Sequence, residues 1–191
     1  MEVPPQKTPL TEAEVREAFR AGHELVHGTT PPEPRLAYAW AVAMLETGRG
    51  RSTWNYNFGN VKATASWKES HDWTTIPVRP PEPPEQRAFA TAAEGAASWW
   101  RLLDGSRYAG VLELADQGQP YDAAWLMGER GYYTAPKDHY SGNVQRYVDE
   151  YREVWPYELP AADMASRGRQ LAVLLLGAFA GWSLVSYLRR R

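Results

Sequence analysis

The stretch from Leu36 to Thr47 constrains this chain most. It carries a single charge, Glu46, near its end. Leu36, Ala39, Trp40, Ala43, Met44 and Thr47 recur at helical spacing, and Gly48 supplies a C-cap. Ala37, Ala39, Ala41 and Ala43 keep the surface thin, so other helices can approach closely. Such a segment predicts a central core helix, with the rest of the chain packed around it. A Glu at the end of an apolar helix is open to desolvation. Desolvation raises a carboxyl pKa and suits the group to act as a general acid near neutrality.

Punctuation predicts more helices. Thr11-Glu12-Ala13-Glu14 is a capping box, with Leu10 and Val15 placed as a hydrophobic staple. Its helix is expected to reach about Val26, with Gly28 as the stop and Pro31, Pro32 and Pro34 as a stiff connector. Thr91-Ala92-Ala93-Glu94 opens a helix through Trp99, Trp100, Leu102 and Leu103. Further helices are expected from about Tyr108 to Asp116, from Tyr121 to about Met127, and from about Ser141 to Val154. In the last, Val144, Tyr147, Val148, Tyr151, Val154 and Trp155 keep a helical period. Residues 49–65 read as loop. Trp73-Thr74-Thr75-Ile76-Pro77-Val78 is the best strand, and its Pro restricts it to an edge. With the Pro80–Pro84 tip it predicts a short β-hairpin.

The run from Leu171 to Leu188 holds 18 residues without a charge and is closed by three Arg. That is the minimal length of a membrane span. Gly177, Ala178, Ala180, Gly181, Trp182 and Tyr187 suit one. The expectation is a single C-terminal transmembrane helix in contact with a lipid bilayer. Five of the 21 Lys and Arg lie in the last 25 residues, which hold no acid. Residues 1–166 are therefore acidic, with 16 basic against 23 acidic side chains. This argues against a nucleic-acid partner. Residues 1–10 are polar and Pro-rich, unlike a secretory signal peptide. The absence of Cys excludes disulfides and thiolate metal sites. Trp stacks well on sugar faces as well as in cores, and eight of the nine Trp precede residue 167.

Four segments in order resemble the glucosaminidase family of peptidoglycan hydrolases. Glu46, Gly48, Gly50 and Ser52 match its Glu-Ser-Gly-x-Gly-x-Ser pattern, with Thr47 in place of Ser. Asn57-Phe58-Gly59 and Lys62-Ala63 match its Asn-(Leu)-Phe-Gly-Ile-Lys-Ala segment, with Asn60 as an extra residue. Arg87-x-Phe89-x-Thr91-x-x-Glu94 resembles Arg-x-Tyr-x-Ser-x-x-Glu. Gly131-Tyr132-x-Thr134-x-Pro136, then Tyr140 and Val144, resembles its Gly-Tyr-Ala-Thr-Asp-Pro-x-Tyr-x-x-Lys-Val segment. Ala135 stands where the family has Asp, and Asn143 lies near its Lys.

The resemblance implies a mainly α, lysozyme-like domain with a small β-hairpin. The implied organisation is a polar segment over 1–10, the glucosaminidase domain over 11–155, a linker over 156–168 and the membrane anchor over 169–191. It implies cleavage of the glycan strands of peptidoglycan by an endo-β-N-acetylglucosaminidase without a cofactor. Glu46 would be the general acid and Tyr132 the cleft tyrosine important for activity, with Ser52, Asn57, Phe58, Tyr133 and Tyr140 binding substrate. Glu69 and Asp72 are the candidates for a second carboxylate, with Glu82 and Glu85 behind them. The alternative is the substrate's own acetamido group as nucleophile.

Other readings stay open. A muramidase or lytic transglycosylase would use the same fold. A non-catalytic wall-binding or virion assembly protein would keep the fold without turnover. His23-Glu24-Leu25-Val26-His27 fits H-E-x-x-H, in which two His on one helix face ligate zinc and the Glu serves as base. Glu46 then stands at the spacing of a third ligand. A membrane location without an export signal suggests a phage particle protein or a bacterial tail-anchored protein.

Overall fold

The computed structural model describes residues 1–75 and 85–159. Met1–Tyr157 forms one compact unit. Its elements are α1 (Glu12–His27), α2 (Glu33–Thr47), α3 (Ala65–Lys68), β1 (Trp73–Thr75), β2 (Glu85–Arg87), α4 (Ala92–Asp104), α5 (Val111–Asp116), α6 (Pro120–Glu129) and α7 (Lys137–Val154), with a 3-10 turn at Ser106–Tyr108 between α4 and α5.

Helix α2 runs through the core, as its composition dictates. Every side chain from Leu36 to Met44 is buried. It is flanked by α1, α5 and α7, while α4 lies along α1 and α6 packs on α5 and α7. The α7 period supplies an aromatic face, with Tyr147, Tyr151 and Trp155 set edge-on around Trp40 at centroid distances of 6.3, 5.5 and 5.8 Å. The Trp40 indole also donates to the Glu12 carbonyl at 2.9 Å, which ties α2 to the start of α1. Val154, expected on the same face, is exposed.

Helices α1 and α4 cross closely because Gly22 has no side chain. A β-carbon there would stand 2.7 Å from both Ala96 Cβ and Ala97 N. Phe19 then sits among Phe58, Trp99 and Trp100, with centroids 5.2–5.8 Å away. Both capping boxes form: Thr11 and Glu14 at α1, Thr91 and Glu94 at α4. Gly28 and Gly48 end their helices in the left-handed conformation open to glycine.

Strands β1 and β2 pair antiparallel in the register Trp73↔Arg87, Thr74↔Gln86 and Thr75↔Glu85. The hairpin tip, including Ile76, Pro77 and Glu82, lies outside the described residues. The N-terminal segment binds along the loop after α2. Thr8 N donates to Thr53 O at 2.9 Å, Leu10 N to Gly50 O at 3.1 Å and Asn55 N to Gln6 O at 2.8 Å.

The expected fold class needs one correction. No helix among the described residues is long and apolar enough to cross a membrane. The run from Leu171 to Leu188, on which the span rested, lies outside the described residues. Over the described residues the architecture is a helical domain with a small β-hairpin, and no membrane-spanning helix is part of it. The membrane and virion-associated location drawn from that helix, and the lipid bilayer as a partner, are withdrawn with it.

Candidate active site

Glu46 occupies the last turn of α2. Its neighbour Thr47 is buried and fastens that turn: its hydroxyl donates to Ala43 O at 2.6 Å and accepts from Gly50 N at 2.9 Å. The helix end is thus fixed from inside, and Glu46 projects half-buried into a cleft. Both of its oxygens accept hydrogen bonds, Oε1 from Tyr140 Oη at 2.7 Å and Oε2 from Asn60 Nδ2 at 3.2 Å. The carboxyl group is held by polar partners rather than enclosed by apolar side chains.

The cleft has a volume of about 420 Å³. Helix α2 contributes Leu45 and Glu46, the loop after it Gly59 and Asn60, and the far wall Tyr132, Tyr133 and Tyr140. The loop wall is shaped by backbone that few residues adopt. Asn55, Tyr56 and Asn60 have φ of 45°, 54° and 49°, and Asn tolerates that left-handed region better than most residues. The Asn57 side chain staples the bend, accepting from Val61 N at 2.9 Å and donating to Val61 O at 3.0 Å.

The two walls meet at Tyr132. Its hydroxyl donates to Gly59 O at 3.3 Å and accepts from the Trp99 indole at 3.0 Å. Gly59 permits this approach, because a β-carbon there would stand 2.5 Å from that hydroxyl. Burial first, then the nearby Glu46 carboxylate, hold the Tyr132 phenol well above the ordinary tyrosine range. The same two causes hold Tyr140 well above its ordinary value, so it stays a donor to Glu46. Tyr133 stacks on Tyr140, with centroids 3.7 Å apart and planes 13° from parallel.

The structure brings together four of the residues expected from sequence: Glu46, Tyr132, Tyr133 and Tyr140. It places the others elsewhere. Phe58 is in the core, 1% exposed and against Phe19. Asn57 is buried as the loop staple. Ser52 is exposed in the turn after α2, where its backbone N–H bonds Thr47 O. Glu69 and Asp72 line a separate basin with Trp67, His71 and Phe89, and Glu85 pairs with Lys68 at 2.7 Å. Glu46 is therefore the only acid lining this cleft among the described residues.

The H-E-x-x-H segment has other occupations. His23 Nδ1 lies 2.6 Å from Thr29 O, His27 pairs with Asp104 at 3.2 Å, and Glu24 accepts from the Thr30 hydroxyl. Among the described residues, no three His, Asp or Glu side chains form a group that could hold a metal ion.

Asn60 and Gly59 were missed as cleft residues, and the buried Trp99 as the donor that holds Tyr132. The Gly-Asn pair carried a turn signal, since both accept left-handed backbone. Trp99 carried none, because its role depends on a partner 33 positions away.

The fold of this helical scaffold is shared with solved structures of peptidoglycan hydrolases. No family model matches the sequence, and no curated protein matches it. Among solved structures, it is similar to a peptidoglycan hydrolase from Sphingomonas sp. A1, with a TM-score of 0.57 and 21% identity over 79% of this chain and 99% of that one. It is also similar to the glycoside hydrolase domain of FlgJ from Salmonella typhimurium, with a TM-score of 0.55 and 19% identity over 86% of this chain and 98% of that one. The likeness read from the four segments thus holds at the level of fold.

Proposed function

We propose that this protein is a peptidoglycan hydrolase that cuts the glycan strand as an endo-acting N-acetylglucosaminidase, with Glu46 as the general acid. The observation that carries this reading is a half-buried carboxyl on a fixed helix end, gripped by Tyr140 and Asn60 in an aromatic-walled cleft. Glycoside cleavage needs a proton for the departing oxygen and a means of stabilising positive charge at the anomeric carbon. Glu46 supplies the proton. Tyr140, bonded to Oε1, fixes the carboxyl plane and leaves Oε2 as the oxygen that carries the proton. The Asn60 amide marks where that oxygen faces the cleft.

A retaining enzyme with two protein carboxylates holds them about 5–5.5 Å apart. Among the described residues no second carboxylate lines this cleft. The reading favoured here is attack by the substrate's own acetamido oxygen on the anomeric carbon as Glu46 protonates the leaving oxygen. Water, deprotonated by the same Glu46, then opens the cyclic intermediate and restores the acetamido group. Tyr132, already bonded to Gly59 and Trp99, acts as a fixed wall that orients the sugar.

The test is mass spectrometry of borohydride-reduced fragments released from purified peptidoglycan. Reduced N-acetylglucosamine ends are expected, and Glu46→Gln is expected to abolish their release while leaving wall binding intact. Reduced muramic acid ends would make the protein a muramidase, and anhydro-muramic ends a lytic transglycosylase. No fragments from wall material that a control hydrolase digests would remove the enzymatic reading.

A further inference from the structure

Helix α6 presents a surface that the Glu46 chemistry does not use. Tyr121, Ala124, Trp125 and Gly128 fall at i, i+3, i+4 and i+7, on one face of the helix. Ala124 and Gly128 receive Tyr133 from the cleft wall. The Tyr133 hydroxyl donates to Ala124 O at 2.9 Å, and a β-carbon at Gly128 would stand 2.5 Å from Tyr133 Cζ. Beside that contact, Tyr121 and Trp125 reach solvent, each 37% exposed. No other Phe, Tyr or Trp among the described residues is as exposed. Their ring centroids are 6.1 Å apart and their planes 23° from parallel.

The cleft and this pair form one aromatic path. Tyr140 bonds Glu46, Tyr133 stacks on Tyr140, and Tyr133 rests on the face of α6 that carries Tyr121 and Trp125. Burial raises the Tyr133 pKa, a hydrogen bond with Ser141 opposes it, and the nearby Tyr121 phenol adds a smaller upward push. The outer end has a polar edge. The Trp125 indole donates to Glu129 Oε1 at 3.2 Å, and Lys137 Nζ lies 5.4 Å from the Trp125 ring centroid and 3.5 Å from Glu129. Flat rings bordered by hydrogen-bonding groups match a pyranose, which has apolar C–H faces and a hydroxyl rim.

We infer that Tyr121 and Trp125 form an outer subsite that stacks a sugar ring of the same glycan strand that reaches Glu46, so that the protein favours long strands over short fragments. This rests on reading the Glu46 cleft as the site of glycan cleavage. A polymer cannot be contained in a cleft of about 420 Å³ and must leave it along the surface. Tyr133, which lines that cleft, also contacts α6 beside Tyr121 and Trp125.

The test compares the full-length protein with Trp125→Ala, Tyr121→Ala and the conservative Trp125→Phe. Glycan strands freed of peptide and fractionated by length are the substrates. Trp125→Ala is expected to lose roughly tenfold in kcat/KM on long strands, chiefly through KM, and distinctly less on tetrasaccharides. Trp125→Phe is expected to recover much of that loss. Equal losses on long and short substrates, or no loss, would overturn the subsite. If the parent protein releases no glycan fragments, the catalytic reading fails by itself. Binding of the same long strands, followed by tryptophan fluorescence of the parent and Tyr121→Ala, then decides whether the outer subsite stands. Weaker binding by the variant keeps it, and unchanged binding removes it.

Discussion

At the residue scale, the interest lies in how Glu46 is held. A carboxyl on a helix end swings through several rotamers unless something grips it. Here one oxygen takes a phenol and the other an amide. Tyr140→Phe keeps the ring that stacks on Tyr133 and removes only the bond to Oε1. Hydrogen bonds to carboxylates contribute about 1.5–3 kcal/mol, so cleavage by the variant is expected to fall roughly 10- to 100-fold. The same lost bond weakens the fold, so the melting temperature is expected to fall by several degrees while the chain stays folded. A variant that turns over at the parental rate would show that Tyr140 is only packing. The sequence pointed to Glu46 and the three tyrosines because their segments resemble a known family. It did not reveal Asn60, read as an extra residue, or the burial of Phe58. A sequence pattern places a side chain next to its neighbours in the chain. Which face of a loop turns inward is settled by distant partners, here Phe19 for Phe58 and Glu46 for Asn60.

At the element scale, the helices with local signals were the legible ones. Both capping boxes and two glycine C-caps set boundaries within a residue or two, because a cap is chemistry between residues three or four apart. Where no such signal exists, the boundary slipped. Helix α7 begins at Lys137 rather than near Ser141, since Lys137-Asp138-His139 offers no apolar period and only Pro136 marks the start. Helix α3, four residues capped by the Thr64 hydroxyl, is too short for any period to appear. The hairpin keeps three residues of its expected first strand within the described residues. The α1–α4 crossing yields a sharp expectation. Gly22→Ala drives a methyl group into Ala96 and the backbone of Ala97. Overpacking of this kind costs about 1–3 kcal/mol. Denaturant unfolding is expected to show that loss, although alanine raises intrinsic helix propensity at the same position. A stabilised variant would mean that the two helices can separate freely.

At the scale of the whole molecule, the fold encloses several phenols. Tyr38 and Tyr140 are held well above the ordinary tyrosine value by burial, Tyr132 and Tyr151 are raised chiefly by the same cause, and Tyr157 is pushed up to about 12. In the unfolded chain these groups lose their protons near pH 10. The folded chain keeps them to higher pH, so above about pH 10 it binds more protons than the unfolded chain. Their contribution to stability is thus complete below pH 10 and is lost as pH rises through the folded values. Denaturation midpoints are expected to hold steady up to that point and then fall, with a shallower fall in Tyr38→Phe. A flat profile to pH 12 would contradict the burial of these hydroxyls. The ion pairs spread over the surface act differently. Arg49 joins Glu12 of α1 to Glu150 of α7 at 2.6 and 2.8 Å, and Arg16 joins Glu33 and Tyr151. They link the ends of helices that the sequence separates widely, but remain partly exposed, where such pairs contribute little individually.

The left-handed backbone at Asn60 also narrows what evolution can try there. Asparagine, aspartate and glycine tolerate that conformation readily, and most other residues do so at a cost. Each of the three would give Glu46 a different setting. Asparagine lends Glu46 a neutral donor, glycine would leave the oxygen to solvent, and aspartate would set a second carboxylate facing the first. The position is therefore a narrow gate between surroundings for that carboxyl, and the step from asparagine to aspartate needs a change at only a single base of the codon.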